Sequence, residues 1–420
     1  MRTRTMKSVR VCAQKQELRE VSVYDGLVLR AGEEERGDGG GAWDGGALGG
    51  PVVRCMSLVG GEQAGDSALQ KRKWSMWYHA RPVDGSGEGY DHDACACTGR
   101  VGLATSEDGV HWTRGDASVA DAPADAPAGI VLEPNTGDWW SFDTLHVGVG
   151  DVTLLGGGGD GGGGVFWMFY YGGNVDAAPR VAEPAVKGVA TRIGVALSQD
   201  GVHWSRIEGP HHTGALLDVG DAGGWDALCM MRPSIIAGVG DTNGLRMYYH
   251  GVDAETGMIR IGMARSSDGF TWEKAGMVFG AGPTGSFDEC GVSSCQVVRN
   301  EVDDGFTMFY QGEDSAGRTC IGAATSTDGI QWQRGARPVL EPADTDGAWD
   351  AGGVGAPFAV PMAHGKWRLY YEGRATARES GASSSMTSES RRATGIGLAL
   401  SGEDGIRGQY RRRAYKPANV

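Results

Sequence analysis

The chain reads as an all-β protein, a five-bladed β-propeller with four antiparallel strands per blade, and three observations lead there. One phrase recurs: "GLATSEDGVHWTRGD" from Gly102, "GVALSQDGVHWSRIEG" from Gly194, "GMARSSDGFTWEKAG" from Gly262 and "GAATSTDGIQWQRGA" from Gly322, with a worn copy, "GLALSGEDGIRGQYRR", from Gly397. An aromatic strand precedes each copy, at Trp74, Phe166, Leu245, Phe306 and Trp367. An aromatic-Asp pair precedes each strand, at Trp43-Asp44, Phe142-Asp143, Trp225-Asp226, Phe287-Asp288 and Trp349-Asp350, with the Asp positions 99, 83, 62 and 62 residues apart. Self-similarity at such a period marks a repeat architecture, and four-stranded units repeated radially make a propeller.

Each element follows in order. The first strand of a blade comes after the aromatic-Asp pair, and the aromatic run is the second. The third and fourth are the arms of a hairpin, because Asp-Gly between two alternating runs supplies the positive φ of a tight turn. The fourth arm carries Trp112, Trp204, Trp272 and Trp332, expected to pack between blades. "VSVYDGLVLRAG" from Val21 repeats a hairpin fragment, with Asp25-Gly26 in the turn and Leu29 where Trp would stand. It is expected to complete the fifth blade as an outer strand, so that no raw edge remains. The propeller then runs over 21–414, behind a basic segment at 1–20.

Composition agrees. With 420 residues, 40% of them hydrophobic, the chain buries a large core, and closed β rings often run long as one domain. Many of the 72 Gly lie in "GDGGGAWDGGALGG" and "LLGGGGDGGGGVF", which read as flexible insertions rather than phosphate loops, since no Lys-Ser or Lys-Thr follows. A net charge of −14 argues against a nucleic-acid partner. No apolar run approaches the ~20 residues that span a bilayer, so no membrane partner is expected. The eight Cys follow no signal segment, and the opening "MRTRTMKSVRVCAQKQ" suits the remnant of a transit peptide, which implies an intracellular, plastid-type location. His92, Cys95 and Cys97 lack a second pair at zinc spacing and read as a reduced loop.

An Asp repeated in every blade suits a structural cap, so information about function lies where blades differ. Blade two has His146 three residues after Asp143, where the others have Ala47, Cys229, Gly291 and Gly353. Blade three has Arg232 before Pro233, at positions matched by Gly50, Ser294 and Ala356. Blade four adds Glu289 beside Asp288. The ends of the aromatic strands bring a varied set: His79, Gly172, His250, Gln311 and Glu372, then Arg81, Asn174, Val252, Glu313 and Arg374.

The five units of aromatic-Asp, "MYYHG" and "IG-A-S-DG-W", from about Trp43 to Asp404, resemble the five-bladed propellers of the arabinanase, levansucrase and invertase superfamily, which includes glycoside hydrolase families 43 and 32. The resemblance implies a carbohydrate substrate and axial carboxylates that cut a glycosidic bond, one as acid and one as nucleophile or base. It places Asp44, Asp143, Asp226 and Glu289 as catalytic candidates, with Glu313 and Glu372 as spare acids. His146, Arg232, His79, His250, Glu313, Glu372 and Arg374 are the substrate-binding candidates. Arg232-Pro233 is a partial match to the Arg-Asp-Pro triplet of the invertase branch, and Glu289-Cys290 matches its Glu-Cys pair one blade late. No cofactor is required, and a structural axial metal ion, as in some family 43 enzymes, is the one group the resemblance adds. The alternative is a non-catalytic propeller that binds carbohydrate or protein on the same face.

Overall fold

The computed structural model describes residues 25–31, 43–57, 72–82, 99–115, 129–156, 164–175, 188–239, 244–300, 304–376 and 394–413. The basic segment 1–20 and the loop of His92, Cys95 and Cys97 lie outside them. The described residues form five antiparallel sheets, one per repeat, with two single 3₁₀ turns at Ala363–Gly365 and Gly405–Arg407. Blade one comprises β2 (Ala47–Ser57), β3 (Arg72–Arg81), β4 (Arg100–Ser106), β5 (Thr113–Arg114) and β6 (Ile130–Leu132). Blade two is β7 (His146–Leu155), β8 (Val165–Gly173), β9 (Arg192–Ser198) and β10 (Ser205–Ile207). Blade three is β11 (Cys229–Val239), β12 (Gly244–Val252), β13 (Ile259–Ser266) and β14 (Glu273–Phe279). Blade four is β15 (Gly291–Arg299), β16 (Phe306–Glu313), β17 (Thr319–Ser326) and β18 (Gln333–Arg334).

Blade five closes the ring. It holds β19 (Gly353–Pro361), β20 (Trp367–Arg374) and β21 (Thr394–Ser401), and β21 pairs at one end with β22 (Tyr410–Arg412) and at the other with β1 (Leu27–Arg30). Both ends of the described chain therefore meet in one blade, as the Asp25-Gly26 fragment predicts. The Trp349 indole donates to Asp25 O at 3.1 Å, and Gly26 N–H to Arg413 O at 2.8 Å.

The recurrent hairpin is built the same way in four blades. In blade two Ser198 Oγ accepts the N–H groups of Asp200 and Gly201, and Asp200 Oδ1 accepts those of Val202 and His203. This fills the turn's backbone donors locally, which is why Ser and Asp recur at that spacing. The Trp that follows stands edge-on to an aromatic ring of the preceding blade: Trp77–Trp204 at 6.3 Å, Phe169–Trp272 at 5.9 Å, Tyr248–Trp332 at 5.9 Å and Tyr370–Trp112 at 6.0 Å. In the worn copy Tyr410 takes the place of Trp, against Phe309 at 5.9 Å. Five edge-to-face pairs thus stitch five blade junctions, each contributing roughly 0.5–1.5 kcal/mol beyond area burial.

Candidate functional site

The five repeated Asp side chains are buried, and each is neutralised inside its own blade. Asp143 Oδ2 accepts from the Tyr170 hydroxyl at 3.0 Å and Arg206 Nε at 2.8 Å, and its Oδ1 from Ser141 Oγ at 2.5 Å. Asp44 is held by Tyr78 at 3.2 Å and Arg114 at 2.6 Å, and Asp226 by Tyr249 at 3.1 Å and Lys274 at 2.8 Å. Asp288 has Tyr310 and Arg334, and Asp350 has Tyr371 and Arg412. In four blades the same Arg also donates to a carbonyl of the chain entering its blade, at Arg30, Glu133, Gly280 and Glu341. The carboxylate therefore spans from the start of the first strand to the fourth, a clasp across the blade rather than a group on the axis. The cation is read from the sequence two residues past the hairpin Trp (or Tyr410), a signal that the aromatic-Asp reading left unused.

The axis is lined instead by a bulge in each first strand. Gly50, Gly150, Arg232, Ser294 and Ala356, with their neighbours, line a small opening on the axis. The register slips at the bulge in every blade, between Gly49 and Val52, Val149 and Asp151, Met231 and Ser234, Ser293 and Gln296, and Gly355 and Phe358. In four blades one residue is left-handed: Gly50 (φ 59°), Arg232 (φ 50°), Ser294 (φ 48°) and Ala356 (φ 46°). For a non-Gly residue this costs roughly 1–3 kcal/mol, and such strain concentrates at functional sites. Bulges also re-aim side chains.

Arg232 is re-aimed into contact with two other blades. Its Nη2 lies 3.4 Å from Glu372 Oε2 and 3.4 Å from His79 Nε2. Because the guanidinium only donates, His79 Nε2 accepts and its proton sits on Nδ1. That buried Nδ1 has no hydrogen-bond partner and faces Gly50, whose added Cβ would stand 2.5 Å away. Burial, and then the Arg232 charge, hold His79 well below the usual histidine range, so it is neutral at pH 7. His250, also buried, accepts the Ser294 N–H on Nδ1 at 3.2 Å, and burial together with Arg232 lowers its pKa to about 3. Glu372 packs against Gly49 and Gln311 against Gly355, so the second strand of blade five reaches blade one and that of blade four reaches blade five.

The remaining candidates are placed elsewhere. His146 is fully buried with Nε2 donating to Gly188 O at 2.8 Å, and burial lowers its pKa to about 4. Glu289 is a loop cap that accepts the N–H groups of Gly285 and Ser315, bonds that lower its pKa. Arg374 reaches blade four, donating to Thr319 Oγ1 at 2.8 Å, and Glu313 is half-buried at the end of β16 opposite Gly291. The ring after the aromatic strands needs one correction. In blade two Asp143 is bound by the first of two tyrosines, so the counterpart of His79 is Tyr171, opposite Gly148, and not Gly172; likewise Gly173 replaces Asn174. A doubled Tyr hides the register, and one residue of slip turns every side chain to the other face.

A second layer on the axis went unread in the sequence. Asp151 Oδ2 accepts the Ile235 N–H at 2.8 Å, Ser234 Oγ that of Val297 at 3.1 Å, and Gln296 Oε1 that of Ala359 at 2.5 Å, each reaching into the next blade. Arg54 links blades one and two through Asp151 at 2.7 Å and Val152 O at 2.6 Å, and stacks on the Phe358 ring of blade five at 4.9 Å. The signal was present, because positions 151, 234 and 296 are 83 and 62 residues apart, the same steps as the Asp series. Among the described residues no group of three or more His, Cys, Asp or Glu is arranged to hold a metal ion, and no helix is long and apolar enough to cross a membrane.

Fold and site together define a five-bladed β-propeller with a polar pocket on its axis. No family model and no curated protein matches the chain. Similar solved structures include a glycosyl hydrolase from Bacteroides ovatus, 18% identical with a TM-score of 0.53 over 94% of each chain. Another is an N-acetylgalactosamine deacetylase from F. plautii in complex with blood group B trisaccharide, 15% identical with a TM-score of 0.55 over 90% of this chain and 95% of that one. A third comes from glycoside hydrolase family 130, described as mannoside phosphorylases and hydrolases that target β-1,2 mannosidic linkages in Candida mannan. It is 16% identical, with a TM-score of 0.52 over 94% of this chain and 98% of that one. At these identities the shared property is the fold.

Proposed function

We propose that the chain is a glycosidase-like propeller that binds carbohydrate near its axis, on the cluster of Arg232, Glu372 and His79. The observation that carries this reading is the convergence of those three side chains from three blades around an unpaired buried N–H, on a strained backbone. Such a set offers a sugar hydroxyl donors and an acceptor at once. The names of the similar structures support the ligand class.

Cleavage or transfer of a glycosidic bond needs two carboxyl groups. Glu372, in contact with Arg232, supplies one and takes the role of acid. The candidates for the second, Asp44, Asp143, Asp226 and Glu289, are each engaged as a clasp or a cap, which favours binding over hydrolysis. The likeness to families 43 and 32 rests on Arg232-Pro233 and Glu289-Cys290 and remains part of this proposal.

Titration with arabinan, xylan, fructan and mannan fragments, alongside a reducing-sugar assay, tests the reading. Saturable binding that Arg232→Gly abolishes is expected. Release of reducing sugar that Glu372→Gln stops and Asp143→Asn spares would establish the catalytic form. No binding to any member would overturn the proposal.

A further inference from the structure

Trp139 is 86% exposed, against 54% for the next most exposed large apolar side chain among the described residues, Leu154. It sits in the connector that enters blade two, in "NTGDWWSFD", and the matching stretches "DAGGWD", "PTGSFD" and "TDGAWD" carry no aromatic at that place. The loop that presents it is tied down. Asn135 Oδ1 accepts the N–H groups of Gly137 and Asp138, Asn135 Nδ2 donates to Asp138 Oδ2, and Ser141 N–H donates to Asp138 O. Asn135 N–H donates to Asp143 O, Phe142 N–H donates to Thr213 O, and a Cβ added at Gly214 would stand 3.5 Å from the Trp140 ring. An indole is thus held out into solvent by an ordered frame.

Its place on the molecule follows from the topology. The connectors from fourth to first strands lie on the face where first strands begin and second strands end. The axial bulges fall in the first halves of the first strands, and His79 and Glu372 stand two residues before the ends of β3 and β20. Trp139 therefore shares a face with Arg232, His79 and Glu372.

We infer that Trp139 is a stacking platform for a sugar unit of a chain whose end reaches Arg232, His79 and Glu372, a reading that rests on the proposed function. The flat indole face matches the C–H face of a sugar ring, while the polar side chains of Asn135 and Asp138 in the same loop match its hydroxyls. A protein partner fits less well. Trp139 is one ring among exposed polar residues, whereas a stable protein interface needs about 800 Å² on each partner. The ligand class is accordingly an oligosaccharide, distinguished from a monosaccharide by length.

The test compares the wild-type chain with Trp139→Ala and Trp139→Phe, titrated with mannose, xylose, arabinose and fructose and with their β-1,2-, β-1,4-, α-1,5- and β-2,1-linked tetrasaccharides. For the sugar that binds, Trp139→Ala is expected to weaken the tetrasaccharide about tenfold, to leave the monosaccharide unchanged and to leave the melting temperature unchanged, while Trp139→Phe retains most of the affinity. An unchanged tetrasaccharide affinity would sink this inference and leave the proposed function standing. So would an equal loss for mono- and tetrasaccharide. If the wild-type chain binds none of these sugars, the proposed function falls and this inference with it.

Discussion

At the scale of single residues, strain and pairing separate two kinds of polar group. Arg232 occupies a left-handed position that Gly50 fills in blade one, so Arg232→Gly removes strain while it removes the guanidinium. Its melting temperature is expected to hold or rise, by up to about 1 kcal/mol in stability, while sugar binding is lost. A lower melt in calorimetry would show that the Arg232 contacts stabilise the fold more than the backbone strains it. Asp143→Asn is the opposite case. It leaves Arg206 half-buried without its charge partner, at a cost near the lower end of the ~3–5 kcal/mol for breaking a buried pair, and it should melt early while pocket binding in the folded fraction is unchanged. Buried histidines add a pH dependence. His146 and His250 have folded pKa values of about 4 and 3, below the ~6.5 of an exposed imidazole, so the unfolded chain takes up protons first. Their contribution is whole above pH 6.5 and is lost as pH falls through 6.5 toward 4 and 3. Melts between pH 7 and 5 should show this slope, and His250→Gln should flatten it.

At the scale of elements, the hairpin is the unit of assembly. Its Ser, Asp and Gly close the turn, and its Trp leaves the blade to meet the ring of the blade before. Trp272 is buried and its Nε1–H reaches Gly269 O at 2.9 Å, whereas Trp112 is half-buried and its Nε1–H has no partner. Trp272→Ala is expected to cost about 3–5 kcal/mol and Trp112→Ala distinctly less, as read from denaturant midpoints. Equal costs would show that edge-to-face packing, rather than burial and the hydrogen bond, sets the strength of a junction. The hairpin was legible from its spelling because every interaction inside the turn is local. The clasp from Asp to the fourth-strand Arg was half legible: both residues recur with the period, but their meeting depends on four strands lying side by side.

At the scale of the whole molecule, closure is the decisive feature. Blade five borrows β1 from the far end of the described chain, pairing Leu27 with Gly397 and Arg30 with Gly395. Deleting residues 1–30 removes that strand together with the Asp25 and Gly26 contacts, and should lower the melting temperature sharply. An unchanged melt would show that β22 alone suffices to close the ring. The axial ladder of Asp151, Ser234 and Gln296 ties blades two to five in turn, and Arg54 joins blade one to blades two and five, so the blades are expected to unfold in one calorimetric transition rather than blade by blade.

Periodicity by itself determined that there are five blades, where their strands lie, which turn joins the outer pair and which fragment closes the ring, because each depends on neighbours in sequence or on a motif repeated at a fixed step. Tertiary structure alone decided which polar residues meet. The repeated Asp side chains turn across their own blades to a Tyr and a cation, while Glu372 and His79, from blades five and one, both meet Arg232 of blade three. The physical reason is that the meeting of side chains from different blades is set by the angle and register at which blades pack, and a bulge of one residue re-aims a side chain without leaving a mark in composition or spacing.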